Sequence, residues 1–545
     1  MTRLLLLVSL FVLVFSVAAQ EKAPAAPKRV PAAQQAPVTP KPAEVPKIEF
    51  EKYTLPNGLQ VILHVDRKLP VVKVNQWFHV GSKNEPIGRS GFAHLFEHMM
   101  FQGSKNAGKY FNIVEKAGAN LFEGGVNGTT DWDRTNYFAT VPSASLEALL
   151  WLESDRLATL PEGIDQQKLD NQRDVVKNER RQGLENQPYG RWIKLLFENL
   201  YPYRHPYAND VIGSHEDLSA ANMDDVKEFF KTWYTPNNLS LTIAGDFDSA
   251  EAKQLIEKYF GGIPAGPALD RPERAPARLD GERIIEARDR VPQERSYFAW
   301  HSPAFFEPGD AELELVGTIL SDGLSARLNK VLVYEKQLCS DTTAFQFTRE
   351  SGSNFVLWAT ARAGASLPHI EKIVTEQIAL LAKAGPTPAE LNRAKAKWEY
   401  NYISGLERIG GFGGKADLLN AYNTYLGEPA KFEEDMSRHR NATIEGVLQA
   451  VDKYLNNRNR VLLRFRPEKS GRESQIALDR SKQPPLGADR PFRVPEVKST
   501  RLDNGMELFV VERNDLPKVA VTLATRPGGV YDPPGKEGLA DLPSP

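Results

Sequence analysis

His94, Glu97 and His98 stand in one apolar stretch, GFAHLFEHMMFQG, and their types and spacing suit a metal site. Imidazoles four residues apart on a helix lie on one face about a turn apart and can point at a single ion. The stretch lacks proline and interior glycine, so a helix is expected. Phe92, Leu95, Phe96 and Met99 cover most of its remaining surface, which implies burial nearly all round. Buried histidines and a buried glutamate must be paired or coordinating, because an isolated buried charge is too costly.

Zinc asks for a third protein ligand and leaves a fourth position to water. Cys339 is the only cysteine, which excludes a thiolate cluster and an internal disulfide, so the third ligand is a carboxylate or another histidine. Glu115, Glu123, Asp131, Asp155, Asp174, Glu179 and Glu185 are candidates. In LDNQRDVVKNERRQ, Leu169, Gln172, Val176 and Glu179 share one stripe by three- and four-residue steps. Glu179 thus falls on the face expected to be buried and Asp174 points elsewhere. Spacing favours Glu179 and leaves the others open.

The elements that must position these groups mix strands and helices without strict alternation, which indicates an α+β fold. YTLPNGLQVILHV reads as extended stretches about an Asn57-Gly58 turn, and PVVKVNQWFHVG as a buried strand. VNGTTDWDRTNYFATVP reads as two strands around a polar turn, and SASLEALLWLESDRLATL and QQKLDNQRDVVKNERRQG as helices. NLSLTIAGDF is a further strand. A second unit repeats this order with little residue identity, closing on the strand RVLLRFRP. The fold expected is a duplicated mixed α/β sandwich, each copy an antiparallel-rich sheet covered by helices.

A third copy announces itself by identity. RLDNGMELFVVERNDLPKVAV matches TLPNGLQVILHVDRKLPVVKV without a gap, so that Asn57-Gly58 falls on Asn504-Gly505 and Pro70 on Pro517. Carried on, the alignment sets Asp541 opposite His94 and Ser544 opposite Glu97, and this copy lacks the motif. The expected organisation is a signal peptide over 1–19, a Pro/Ala-rich tether over 20–46, a catalytic domain over 47–265 and a second, metal-free domain over 266–467. A linker over 468–493 and the truncated start of a third repeat over 494–545 complete it, as in the front of a longer protein.

The 545 residues are 41% hydrophobic and 25% charged, with a net charge of -2, as in a globular protein with no electrostatic case for nucleic acid. MTRLLLLVSLFVLVFSVAAQ has the basic start, short apolar run and small residues of a secretory signal. It implies a periplasmic or secreted protein with no stable membrane anchor once the signal is removed.

HLFEH with a distant V-V-K-N-E resembles the pitrilysin/insulinase family of inverted-motif (H-x-x-E-H) zinc metallopeptidases. The likeness includes NGTTDWDRTNY and HPYANDVIGSHEDL, from His205 to Leu218. It implies a zinc metalloendopeptidase that hydrolyses peptides or unfolded segments, with one Zn2+ per chain held by His94, His98 and Glu179. Zinc so held makes a water acidic and polarises a carbonyl, and Glu97 is left free as general base. Many members carry a second glutamate seven residues before the ligand. Gln172 stands there, an amide that can hydrogen-bond a ligand but brings no charge.

The resemblance also implies that substrate adds as a strand at Asn127, Gly128 and Thr129; a plain turn is the competing reading of Asn127-Gly128. An Arg and a Tyr are expected on an L-R-x-K-E-Q-L-G-Y pattern, where LVYEKQLCS offers Val333 and Ser340. A complementary C-terminal half or partner subunit is therefore implied, and the alternative function is that of a non-catalytic or partner-dependent peptide-binding half. IGGFGGK resembles a phosphate loop, but Ile409 and Ala416 break the pattern and a helix break is expected. His205 and His215, in turn-rich sequence, are expected to be structural.

Overall fold

The computed structural model describes residues 47–468 except 122–123, 270, 272–276 and 457, together with 496–512, 521–523, 532 and 534–535. The expected signal peptide, the tether, nearly all of the linker, most of the third repeat and Glu123 lie outside the described residues. Among those described, no helix is long and apolar enough to cross a membrane.

The first sheet runs in the order β1-β2-β6-β3-β5-β4. Its strands are β1 (Glu51–Thr54), β2 (Gln60–Val65), β3 (Val71–Phe78), β4 (Val126–Thr130), β5 (Thr135–Pro142) and β6 (Leu239–Gly245). Only β2 and β6 pair in parallel. The second sheet runs β7-β11-β8-β10-β9. It contains β7 (Arg283–Asp289), β8 (Arg295–Ser302), β9 (Cys339–Phe347), β10 (Ser353–Ala361) and β11 (Arg460–Pro467), with β7 and β11 its one parallel pair. Without β1, the two orders correspond strand for strand. The expected duplicated, antiparallel-rich α/β architecture is what the chain adopts.

Strand β3 explains how the sheets are covered. Val72, Val74 and Phe78 enter a core shared with Phe92, Phe96 and Met99. Lys73 and Asn75, which alternate with them, are also buried, at 1% and 0% exposure. Their cover is the helix Lys415–Leu426, which comes from the second half of the chain. Its Asn420 donates to the Asn75 carbonyl (3.0 Å) and accepts from Ser240 and Thr242 (2.7 and 2.8 Å). A polar sheet face is thus matched by a polar helix face, as buried polar groups require. The exchange is reciprocal, since the helix Trp192–Leu200 of the first half packs Leu196 and Phe197 among Tyr297, Ala299, Leu463 and Phe465 of the second sheet. IGGFGGK is the break between the helices Pro388–Leu406 and Lys415–Leu426.

A buried ionic cluster also joins the halves. Glu350 accepts from His79 (2.8 Å) and Lys83, and its N–H donates to Asp133 (3.0 Å). Burial alone would raise the Glu350 pKa; the hydrogen bonds and charges of His79 and Lys83 outweigh it and hold the carboxyl at about 2, below its ordinary 4.5. A depressed carboxyl pKa stabilises the folded state above the unfolded value and loses that contribution as pH falls through the folded one. Burial lowers the His79 pKa, so Lys83 supplies the charge at neutral pH, and Glu350→Gln is expected to lower stability there by roughly 1–2 kcal/mol. The gap between wild type and variant in denaturant titrations should close between pH 4.5 and 2. A gap independent of pH would show that the carboxylate is not what holds the halves together.

The described residues from 496 onward belong to a separate unit. Its hairpin pairs β12 (Val497–Arg501) with β13 (Glu507–Val511). Arg501 faces Glu507 just as Thr54 faces Gln60 in the β1–β2 hairpin, so the sequence repeat is also a repeat of register.

Candidate metal centre

The motif forms the helix Phe92–Met99, with Phe92, Leu95, Phe96 and Met99 buried as expected and the two histidines at the rim of the core. Its start is fixed by Glu85, whose carboxylate accepts from Gly91 N (3.1 Å) and Ala93 N (2.8 Å). Its oxygens satisfy orphan N–H groups of the first turn, while burial raises the Glu85 pKa well above the usual carboxylate range against the pull of those hydrogen bonds. Gly91 sits at φ 83°, and a Cβ there would lie 2.4 Å from the Ile212 carbonyl oxygen. A Cβ on Gly213 would lie 2.1 Å from Ser90 O, so the segment HPYANDVIGSHEDL crosses the helix entry at backbone contact.

Glu179 arrives from the helix Gln166–Arg180, which Asp165 caps through Lys168 N. Leu169, Gln172 and Val176 are buried along the expected stripe. Glu179, expected to be buried with them, instead has a side chain 43% exposed, because the stripe runs out of the core at that turn. The next residue, Arg180, donates to Glu185 (3.1 Å), Asp210 (3.3 Å) and the Gly213 carbonyl, which ties the end of this helix to the segment gripping the other one.

The fold brings His94, His98 and Glu179 together, with one donor atom of each within 4.8 Å of the others. The Nε2 atoms of His94 and His98 lie 3.8 and 3.4 Å from Glu179 Oε2. Donors around a tetrahedral zinc with bonds near 2.05 Å are about 3.3 Å apart, so this donor set fits the ion. The remaining candidates are engaged elsewhere. Asp155 accepts from Ser104 and Asn106, Asp131 from the backbone of Asp133 and Arg134, and Glu185 from Arg180 and His215. Neither Glu115 nor Asp174 joins the cluster. His205 and His215 are likewise held in local contacts, His205 accepting from Tyr207 N (3.1 Å) and His215 facing Glu185 (2.9 Å).

Burial, then repulsion from His98, pushes the His94 pKa down to about 4 against the attraction of Glu179. Burial also opposes protonation of His98, but the hydrogen bond and charge of Glu179 prevail and raise it. His98 Nδ1 faces the Gln172 Oε1 acceptor at 3.3 Å, and an N–H there orients the ring with Nε2 toward Glu179. Glu97 is not one of the trio. Burial raises its pKa, while a hydrogen bond from Thr130 Oγ1 to its Oε2 (2.7 Å) opposes the rise.

Thr130 belongs to β4, the edge strand beside the motif helix. Asn127, Gly128 and Thr129 are therefore strand, not a plain turn. Backbone bonds of Thr140 N to Gly125 O and Asp131 N to Arg134 O fix the alternation of the ladder. Asn127 and Thr129 bond inward to β5, while Val126, Gly128 and Thr130 present their N–H and C=O groups to the open edge. Of the three residues expected to bind substrate, only Gly128 offers its backbone there, and its N–H is held by Asn127 Oδ1 at 2.9 Å. A Cβ on Gly128 would lie 3.1 Å from Glu97 Oε1 and 3.0 Å from the Phe101 ring, so glycine keeps the strand close to the glutamate. Glu85, Thr130 and Arg180 have no signature in the sequence except the period-two step from Gly128 to Thr130.

Residues 60–206 match the family model described as Insulinase (Peptidase family M16), and residues 220–397 match the Peptidase M16 inactive domain. The zinc protease PqqE of Helicobacter pylori is 30% identical over 69% of this chain and 83% of its own length. The uncharacterized zinc protease YmxG of Bacillus subtilis is 23% identical over 66% of this chain and 85% of its own length. Among solved structures, a protease from Helicobacter pylori superposes with a TM-score of 0.70 at 26% identity, covering 77% of this chain and 99% of that one. The first half of the periplasmic protease PqqL from Escherichia coli does so at 0.62 and 19%, covering 78% and 93%, a likeness of fold.

Proposed function

The chain belongs to the insulinase family, peptidase family M16, and on that premise we propose that it is an exported zinc metalloendopeptidase that hydrolyses peptides or unfolded segments. The observation carrying this reading is the convergence of His94, His98 and Glu179 beside a buried glutamate that is not part of the trio. His94, His98 and Glu179 would hold a zinc ion, which would supply Lewis acidity toward a water and a carbonyl. Glu97 would accept the proton of the attacking water at Oε1 and return it to the leaving amine. Thr130 holds one Glu97 oxygen, leaving Oε1 beneath Gly128 for the proton. The open edge of β4 lays the substrate backbone alongside as an added strand, which reads little side-chain sequence. Export, to the periplasm or beyond, rests on the leader-like first 19 residues.

Purified protein is expected to contain one zinc per chain by elemental analysis. It should cleave fluorescein-labelled casein, stop when 1,10-phenanthroline strips the metal, and recover on addition of zinc. Absence of a transition metal would remove the proposal. Zinc and casein binding without cleavage would favour a second reading, a peptide-binding half that needs a complement. Val333 and Ser340, where the family resemblance calls for Arg and Tyr, support that alternative.

A further inference from the structure

We propose that Asp417, on the helix Lys415–Leu426 from the second half of the chain, is a positioning residue for β4, holding the substrate-binding edge through Asn136 and Arg134. This rests on the reading of β4 as that edge. Asp417 Oδ1 accepts from Trp77 Nε1 (3.0 Å), Asn136 Nδ2 (3.3 Å) and Asn75 Nδ2 (3.4 Å), and Oδ2 accepts from Gly413 N (2.9 Å). Asn136, fully buried on β5, turns its oxygen to the edge strand and accepts from Thr129 Oγ1 (2.5 Å) and Arg134 Nη1 (3.1 Å). Arg134 lies over the Trp77 ring at 5.0 Å and also donates to the Thr129 carbonyl at 2.9 Å. A continuous polar chain thus runs from Asp417 to Thr129, the residue between Gly128 and Thr130.

An edge strand is held by a ladder on one side only, and the backbone ladder of β4 reaches β5 alone. The Thr130 side chain meets Glu97 on one face of the sheet, while the Asn136–Arg134 brace grips the strand from the other. That brace ends on a carboxylate supplied by the opposite half of the molecule. The second sheet lacks a metal trio among the described residues, yet its half of the chain sets where the substrate strand lies. IGGFGGK acquires a role here, because Gly413 N in that loop orients the Asp417 carboxylate.

The test uses the full chain carrying Glu97→Gln, so that bound polypeptide survives, with fluorescein-labelled casein followed by anisotropy well below the unfolding temperature. Adding Asp417→Ala is expected to weaken binding about 10-fold with zinc content unchanged. Asp417→Asn keeps an acceptor toward Trp77 and Asn136 and should bind within about 3-fold of the parent. Asn136→Ala should weaken binding as much as Asp417→Ala, and the double variant no more than either alone. Unchanged affinity in Asp417→Ala, additive losses in the double variant, or loss of zinc together with binding would each overturn the proposal. Failure of the Glu97→Gln parent itself to bind casein would instead remove the substrate-edge reading, and this inference with it.

Discussion

Glu97→Gln is expected to leave zinc at one ion per chain while lowering the peptidase rate about a thousandfold. The two parts of this result separate two roles. Glu97 lies in the motif but is not one of the trio: its oxygens lie against Thr130 and Gly128, while a Glu179 oxygen faces both histidines. Gln keeps the shape and can still accept from Thr130, so the helix and the metal trio have no reason to move. What it loses is the ability to take a proton, and a positioned general base contributes about a hundred- to ten-thousandfold. Casein turnover measured beside zinc content decides the matter. Loss of the metal would make Glu97 a ligand, and retained turnover would deny it the role of base.

Glu179→Ala is expected to weaken zinc binding by more than about a hundredfold, since removal of an outer hydrogen-bond partner alone costs 10- to 100-fold. Its carboxylate oxygen lies 3.4 and 3.8 Å from the two imidazole nitrogens and completes the only trio of metal-binding side chains among the described residues. The side chain is 43% exposed, so the substitution empties little of the core and the fold should persist. Competition against a chelator of known affinity measures the loss, with Asp174→Ala as the control on the same helix. Equal zinc affinity in wild type and Glu179→Ala would exclude Glu179 from the site.

Much of the chemistry was legible before any coordinates. His94 and His98 share a helix face because a turn is 3.6 residues, and that period needs no tertiary context. The same holds for the hairpin repeat, where matched residues and a matched turn give matched registers in β1–β2 and β12–β13. Strands β7 and β9 escaped notice. RIIEARD and CSDTTAFQF carry their charged or hydroxyl residues without a period of two and lack the apolar weight of PVVKVNQWF. The burial expected of Glu179 also failed, because a helical stripe records which residues align but not where the neighbouring surface ends.

By itself, then, the sequence determined the motif helix, the shared face of its two histidines, the glutamate between them and the duplicated α/β plan, all carried by short-range periods or direct identity. Only the tertiary structure decided which carboxylate joins the histidines, which backbone groups of β4 face outward, and that each half lends a helix to the other's sheet. Those outcomes depend on side chains that meet across long stretches of chain, such as Asp417 with Asn136 or Asn420 with Ser240. A local pattern carries no signal for them, because they arise from the close packing of elements whose separation in sequence says nothing of their separation in space.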